Sequence, residues 1–230
     1  MAAPGRELIG GGDSLAVEAY RERLLSAFRL PPGRGKRALD LGCGDGMEAV
    51  YLARLGYHVD AFDLEAHPRW PAIEKEWKGR IRFGLADAAR LRRVKAGYDL
   101  AFQKDMLHHV DEPLKVLHEM KRVLKPGGRL LIAECNRYNP VFYLHLTLLG
   151  GHQHFSRGRL RALLQKAGMD GYRLTLREAR VWPLESPAFQ RLMDRLQDMA
   201  ERARIFGPWI CYHLVSWTKP PSRRSDGDHR

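Results

Sequence analysis

The most informative stretch of this chain is Ala38-Leu39-Asp40-Leu41-Gly42-Cys43-Gly44-Asp45-Gly46. A buried strand predicted over 37–41 runs into three alternating glycines, and a helix predicted over 46–55 follows them. Glycine lets the backbone turn tightly and approach a ligand closely, and a helix N-terminus offers free N–H groups. The stretch therefore predicts a ligand-binding turn between a strand and a helix.

The type of ligand is indicated by the next acidic residue. A second strand, predicted over 57–63, ends at Asp63, which follows Gly46 by 17 residues. A carboxylate at this place can accept hydrogen bonds from both hydroxyls of a ribose. Met47 stands where the dinucleotide fingerprint G-x-G-x-x-G requires its third glycine, which disfavours NAD. The pattern indicates a nucleoside ligand of another kind.

Strands and helices continue to alternate along the chain. Further strands are predicted at 81–85, 98–103 and 129–134, and helices at 70–78, 112–124 and 156–167, with a turn at 125–128. Two long strands, predicted at 171–181 and 209–217, flank a helical insertion that begins at Ser186-Pro187. This order predicts an α/β fold, a Rossmann-like, doubly wound and mainly parallel sheet with a C-terminal antiparallel strand pair.

The domain organisation is predicted from the same pattern. We expect one domain over 1–218, followed by a polar, disordered tail over 219–230. Its predicted parts are an N-terminal helix (13–30), a cofactor-binding core (36–134), a lid and substrate region (135–168) and C-terminal strands with a helical insertion (171–218).

Composition narrows the class of protein. Among 230 residues, 44% are hydrophobic and 29% charged, and no secretory signal is visible, which predicts a cytoplasmic globular protein. The three cysteines are widely spaced without a C-x-x-C pair, so neither a disulfide framework nor a metal site is expected. The net charge of +12 leaves a nucleic acid or anionic lipid partner open, although no nucleic-acid motif accompanies it.

Five ordered motifs resemble the class I S-adenosylmethionine-dependent methyltransferases, and closely their small-molecule branch with the quinone-type enzymes. The resemblance spans about 37–134. The motifs are Leu39-Asp40-Leu41-Gly42-Cys43-Gly44-Asp45-Gly46, Asp63, Leu85-Ala86-Asp87-Ala88, Tyr98-Asp99-Leu100-Ala101-Phe102-Gln103 with Leu107-His108-His109-Val110, and Arg122-Val123-Leu124-Lys125-Pro126-Gly127-Gly128. The resemblance implies methyl transfer from S-adenosylmethionine, with S-adenosylhomocysteine as product.

The resemblance also implies roles for individual residues. Gly42, Gly44 and Gly46 pack against the methionine half of the cofactor, with the Asp40 carboxylate on its amino group. Asp63 binds the ribose, and the Gln103 carbonyl lies near the methionine ammonium. Asp87 accepts from the adenine amine beside Ala88, and the predicted cofactor-binding set is completed by Cys43 and Leu64. Structural alternatives remain, since Asp87 could cap a turn and Gln103 could be an ordinary strand end.

The acceptor side is less specific. In-line methyl displacement needs positioning first, and a base only when the acceptor must lose a proton. Histidine titrates near neutral pH, and His109 is the preferred candidate base, with His154 as the alternative. The predicted acceptor contacts are Tyr20, His108, Arg137, Tyr138 and His152.

Two features leave alternatives open. The apolar segment at 140–149 is either a lid helix or an apolar surface that contacts a lipophilic acceptor or a membrane. The basic residues of the helix at 156–167 either face solvent or engage an anion. We expect transfer to a small, lipophilic acceptor; the alternatives are an RNA-directed protein with this fold and an NAD-dependent oxidoreductase. The oligomeric state is not predicted.

Overall fold

The computed structural model describes residues 14–140, 143, 154–182, 184–203, 207 and 210–221. In these residues the helices are α1 (Leu15–Ser26), α2 (Met47–Arg54), α3 (Trp70–Glu76), α4 (Pro113–Val123), α5 (Arg157–Lys166) and α6 (Pro187–Arg202). The strands are β1 (Arg37–Leu41), β2 (His58–Asp63), β3 (Ile81–Leu85), β4 (Tyr98–Lys104), β5 (Leu124–Cys135), β6 (Arg173–Arg177) and β7 (Tyr212–Thr218). A short 3-10 turn, Leu107–His109, follows β4.

The strands form one sheet in the order β3-β2-β1-β4-β5-β7-β6. The pairs from β3 through β5 are parallel, whereas β7 runs antiparallel to both β5 and β6. The predicted fold class is confirmed, including the antiparallel C-terminal pair. Because parallel strands end at one edge, the segments that follow β1, β2, β3, β4 and β5 gather there.

The core lies in two layers, one on each face of the sheet. One layer contains apolar residues of α1, α2 and α3, and the other contains those of α4 and α5. In α4 the buried residues repeat at helical spacing, which places one apolar stripe against the sheet: Val116, Leu117, Met120 and Val123. Helices on both faces make the sheet doubly wound, as the alternation of elements predicted.

The prediction of two long C-terminal strands was wrong in length. β6 ends at Arg177, and the next backbone N–H groups bind α6: Glu178 N donates to Glu201 Oε1 and Arg180 N to Gln197 Oε1. The Glu178 carboxylate accepts from Cys211 N (3.1 Å) just before β7 begins. Side chains therefore replace the ladder at this end, and both strands are shorter than 171–181 and 209–217.

The predicted turn at 125–128 is also different in the structure, where β5 is continuous from Leu124. Gly127 N donates to Lys219 O and Lys219 N donates to Gly128 O, both over 2.9 Å. These bonds extend the pairing of β5 beyond Thr218. The glycines still bend the backbone, since φ of Gly127 is +78°, but the segment belongs to the strand.

Candidate active site

The glycine loop after β1 is shaped by a close approach of the segment that follows β4. Gly42 has φ of +69°, and a Cβ there would lie 2.6 Å from Met106 Cγ. A Cβ on Gly44, in contrast, would meet no atom within 4 Å. Only glycine fits the first position, and the second leaves open space beside the backbone. The loop therefore touches the turn after β4 and keeps room for a ligand.

Two buried polar side chains at this edge have atoms without a hydrogen-bond partner among the described residues. Asp40 is 1% exposed, and its Oδ2 has no partner there; neither has Nε2 of Gln103, which is 0% exposed. Burial, together with the negative charge of Glu48, raises the pKa of Asp40 well above its ordinary value. A cationic ligand group would donate the missing hydrogen bond to Asp40, and its positive charge would favour the ionised carboxylate.

Asp63, at the end of β2, holds the loop from the other side. Its Oδ2 accepts from Gly44 N (2.8 Å) and its Oδ1 from Leu64 N (2.7 Å). The indole of Trp70 donates to Gly44 O over 2.9 Å. Beside this carboxylate, Leu64 and Leu85 are exposed apolar side chains at the ends of neighbouring strands. The arrangement places a carboxylate next to an apolar surface, which suits a nucleoside.

Asp87 and Ala88 follow β3 on the same edge. The Asp87 carboxylate is half exposed and accepts from Ala89 N over 2.9 Å. This bond caps the local turn, as the structural alternative predicted, and leaves the side chain accessible. The adenine role of Asp87 and Ala88 stays a prediction.

A second constellation surrounds the 3-10 turn after β4, and its centre is Glu134 of β5. Glu134 is fully buried; its Oε1 accepts from Leu107 N (2.8 Å) and Met106 N (3.2 Å). Its Oε2 lies 2.7 Å from His108 Nδ1. One carboxylate thus fixes both the turn and the imidazole that the turn carries.

The histidines on this turn are close to one another. The ring of His108 lies 4.0 Å from that of His109 and 4.4 Å from that of His154, centroid to centroid. Burial lowers the pKa of His108, but the hydrogen bond to Glu134 and the charges of Glu134 and Asp105 raise it, and the net pKa is above the ordinary value. His109 is exposed, whereas His154 is buried. The structure therefore brings the three histidines into one cluster, with His109 open to solvent.

Asp105 joins this cluster to the C-terminal strand. It has φ of +50°, unusual for a residue with a side chain. Its Oδ1 accepts from Cys135 N (3.2 Å) and its Oδ2 from the Tyr212 hydroxyl (3.1 Å). Burial raises the pKa of Asp105, but the positive charges of Lys104 and His108 lower it, and the net pKa is below the ordinary value. The strained backbone is thus held by a fully bonded carboxylate.

One atom each of Asp105, His108 and Glu134 could hold a metal ion, since these atoms lie within 4.8 Å of one another. They are, however, already engaged by backbone amides, by Tyr212 and by each other. The Lys104 ammonium, 3.4 Å from Asp105 Oδ2, adds a positive charge. The site therefore favours a hydrogen-bonded network, and we assign it no metal.

The other predicted acceptor residues fall in different places. Tyr20 is buried in α1, and its hydroxyl lies 2.6 Å from that of Tyr212. Tyr138 is exposed after β5, and Arg137 is half-buried with its backbone N donating to Phe155 O. His152 lies outside the described residues, as does most of the segment at 140–149.

Sequence reasoning missed the groups that organise the cluster: Lys104, Asp105, Glu134 and Tyr212. One signal could have identified Glu134, because an acid that ends the apolar run Leu130-Leu131-Ile132-Ala133 is buried in a central strand. We call Asp40, Gly42, Gly44 and Asp63 the glycine half of the site. Asp105, His108, Glu134 and Tyr212 form its histidine half.

Comparison with known proteins shows which family this chain belongs to. Residues 39–132 match a family model described as a methyltransferase domain. The methyltransferase GfsG of Streptomyces halstedii is 30% identical over 228 residues, which cover 89% of this chain and 81% of that protein. The chain belongs to the class I S-adenosylmethionine-dependent methyltransferases. Its cofactor is S-adenosylmethionine, and the buried carboxylate of Asp40 and the open space beside Gly44 fit that group.

Two further similar proteins are named for the methylation of small molecules. The ubiquinone biosynthesis O-methyltransferase of Aeromonas salmonicida is 34% identical over 118 residues; the match covers 50% of this chain and 49% of that protein. The structure of a 1,6-didemethyltoxoflavin-N1-methyltransferase from Burkholderia thailandensis, with S-adenosylhomocysteine bound, has 22% identity and a TM-score of 0.59, covering 90% of this chain and 80% of that one. These comparisons lend no support to the RNA or oxidoreductase alternatives.

Among the described residues, no helix combines the length and apolar character needed to cross a membrane.

Proposed function

We propose that this methyltransferase transfers a methyl group to an oxygen of a small, lipophilic acceptor by in-line displacement. S-adenosylmethionine supplies an electrophilic methyl group on a sulfonium. Relatives named for O-methylation, such as the ubiquinone biosynthesis enzyme, support an oxygen acceptor. We further propose a cytoplasmic location, supported by the three cysteines, which are buried and free of disulfides.

The observation that carries this proposal is the contact between the glycine loop and the turn after β4. Met106 packs against Gly42 in the glycine loop, and the turn that starts at Met106 carries His108 and His109. The turn therefore carries its imidazoles at the same edge of the sheet as the loop, and a hydroxyl acceptor bound there would have to lose its proton. Such a group is needed for oxygen acceptors with high pKa values and is superfluous for amines that react as free bases.

Within this proposal the residues have distinct tasks. The Asp40 carboxylate binds the amino group of the cofactor, and the Asp63 carboxylate binds its ribose hydroxyls. His109, the exposed member of the histidine cluster, accepts the acceptor's proton on an imidazole nitrogen. Glu134 binds Nδ1 of the neighbouring His108 and so fixes the ring against which His109 lies.

The test is a screen of phenols, quinone precursors and other lipophilic hydroxyl compounds, with S-adenosylhomocysteine formation as the readout. His109→Asn should lower turnover by about 10²–10⁴-fold with cofactor affinity little changed, the usual effect of losing a general base. His154→Asn tests the alternative base. His118→Asn, at an exposed position on α4, is the matched control and should leave turnover unchanged.

Two results would contradict the proposal. Methylation of nitrogen or carbon acceptors alone would exclude oxygen as the target. A normal rate in His109→Asn, with an oxygen acceptor in hand, would return this residue to a structural role.

A further inference from the structure

Helix α6 has an unusual orientation, because its polar side faces the protein. Its buried residues are Gln190 and Gln197, whereas Leu192, Leu196 and Met199 are 51%, 48% and 64% exposed. An amphipathic surface helix normally buries its apolar stripe. The exposed leucines are four residues apart and Met199 follows three later, so the three side chains share one face of the helix.

The inward face is anchored by hydrogen bonds and ion pairs. Gln190 Nε2 donates to Leu184 O (2.8 Å), and Gln197 Oε1 accepts from Arg180 N (3.0 Å). Buried Arg23 of α1 binds Asp198 (2.9 Å) and Glu201 (3.0 Å). The orientation of α6 is therefore fixed by specific polar contacts, which keep its apolar face outward.

The apolar face of α6 is part of a larger concentration of exposed apolar side chains. Nine large hydrophobic residues are exposed among the described residues, and five of them fall between 181 and 199: Val181, Leu184, Leu192, Leu196 and Met199. Single exposed apolar residues are ordinary, but such a concentration marks an interaction surface. We call these five residues the α6 patch.

Charge on the two sides of α6 is segregated as well. Its acidic residues, Asp194, Asp198 and Glu201, all lie within ion-pair distance of Arg23 or Arg177. The exposed basic residues of the helix are Arg191, Arg195 and Arg202. Arg195 follows Leu192 by three residues and precedes Met199 by four, so this basic row borders the apolar face. The outward side thus combines apolar and positive groups.

We propose that the α6 patch docks on the surface of an anionic lipid bilayer, with α6 in the plane of the interface. An interfacial helix buries its apolar face at the acyl boundary, and basic residues along its border meet the lipid phosphates. The long arginine side chains can extend to that level while their stems stay in apolar surroundings.

Charge favours a bilayer over a second copy of this chain. Two copies that met through the α6 patch would bring two rows of arginines together, whereas the three carboxylates of α6 already pair with Arg23 or Arg177 of their own chain. Like charges across an interface are unfavourable. An anionic surface instead complements every exposed charge of this row.

The docking surface lies at the same edge of the sheet as the active site. β6 is antiparallel to β7, and β7 is antiparallel to β5, so β6 and β5 run in the same direction. The segment leading to α6 therefore leaves the sheet where β1 to β5 end. A bilayer bound to the α6 patch would lie on the side of the molecule from which an acceptor reaches the histidines.

The experiment is flotation of the full chain with vesicles rich in phosphatidylglycerol or made of phosphatidylcholine alone. We expect binding to the anionic vesicles, weakened by salt. Arg191→Gln with Arg195→Gln should weaken it roughly 30-fold, because each basic residue near an anionic surface contributes about fivefold. Leu192→Ser with Leu196→Ser should weaken it at least about tenfold through lost apolar burial.

Matched controls separate the patch from general charge and apolarity. Arg34→Gln with Arg54→Gln removes the same charge from exposed positions near the amino end of β1 and should have little effect. Leu64→Ser with Leu85→Ser removes two exposed leucines beside β2 and β3, which are farthest from β6 in the strand order, and should change vesicle binding little. Unchanged thermal unfolding of each variant confirms that it folds.

Several results would overturn the proposal. Equal binding to both vesicle types, no binding to either, or equal loss in the control variants would each exclude a specific lipid-docking face. A loss of binding in inorganic phosphate that exceeds the loss in chloride of the same ionic strength would indicate a phosphate site instead of a bilayer surface. Concentration-dependent dimerisation in sedimentation velocity that Leu192→Ser with Leu196→Ser abolishes would show that a second copy occupies the patch.

Discussion

The glycine half of the site comes from two adjacent strands, whereas the histidine half is assembled from parts of the chain that are far apart. Asp40, Gly42 and Gly44 lie within five residues, and Asp63 follows on the next strand. In the histidine half, Glu134 binds Leu107 across 27 positions, and the hydroxyl of Tyr212 meets that of Tyr20 across 192. Both halves reach the same edge of the sheet.

This difference reflects the physical demands on each half. A tight turn and a helix N-terminus are local features, so the residues that produce them must be neighbours in sequence. A buried carboxylate, in contrast, needs partners from every side, and the tertiary fold supplies them from any strand. The glycine half is thus set by local backbone geometry, and the histidine half by satisfied buried polarity.

Gly42→Ala should have the largest effect, because Gly42 belongs to the glycine half and packs against Met106, which follows Asp105 of the histidine half. Its positive φ costs roughly 1–2 kcal/mol for a residue with a side chain. The clash with Met106 adds about 1–3 kcal/mol, typical of overpacking. We expect unfolding free energy to fall by about 2–5 kcal/mol in urea titrations.

Gly35→Ala is the matched control for this substitution. Gly35 has nearly the same φ, +71°, but no atom lies within 4 Å of the added Cβ. It should lose only the backbone part, roughly 1–2 kcal/mol. An equal loss of unfolding free energy at both positions would show that Met106 moves away from the added methyl group at little cost.

Asp63→Ala tests the glycine half alone. We expect it to weaken binding of S-adenosylmethionine by roughly 1–3 kcal/mol, the range for lost hydrogen bonds to a charged group, as measured by titration calorimetry. Asp87→Ala removes a half-exposed carboxylate that already caps a turn and should cost less. A larger loss for Asp87→Ala would move the main nucleoside contact from β2 to the segment after β3.

The sequence predicts some features of the fold and of the site but not others. The parallel sheet and the positions of Gly42 and Asp63 follow from hydrophobic period and glycine spacing, which are local signals. The lengths of β6 and β7 do not follow from these signals, because the backbone N–H groups of Glu178 and Arg180 bind side chains of α6 instead of a neighbouring strand. His108 was predicted as an acceptor contact, but its bond to Glu134 depends on the register between β4 and β5.

The pH dependence of stability tests the histidine half. The folded-state pKa of His108 is raised, so its contribution is complete below the unfolded pKa of about 6.5 and is lost as pH rises through the folded value. Glu134→Gln keeps an acceptor for the turn amides but removes the charge. Its deficit in unfolding free energy should therefore be larger near about pH 6 than near about pH 9.

The pH-dependent part of this deficit should stay below the roughly 1.5–3 kcal/mol of a whole hydrogen bond to a charged group. Urea midpoints at the two pH values measure it, with His118→Asn as the exposed-histidine control. A deficit that is the same at both values would mean that Glu134 acts on the turn amides and not on the imidazole.

Tyr20→Phe should have the smallest effect and decides to which group of residues Tyr20 belongs. Tyr20 was predicted to contact the acceptor, yet it is only 4% exposed and its hydroxyl lies 2.6 Å from that of Tyr212. Because Tyr212 donates its hydrogen to Asp105, Tyr20 must be the donor in this pair. Losing that bond should cost about 0.5–1.5 kcal/mol in unfolding free energy.

A double-mutant cycle with Tyr212→Phe checks this assignment. The double variant should lose less unfolding free energy than the two single variants added together, since both remove the same bond. Strict additivity, accompanied by a higher KM for the acceptor, would instead place the Tyr20 hydroxyl on the acceptor.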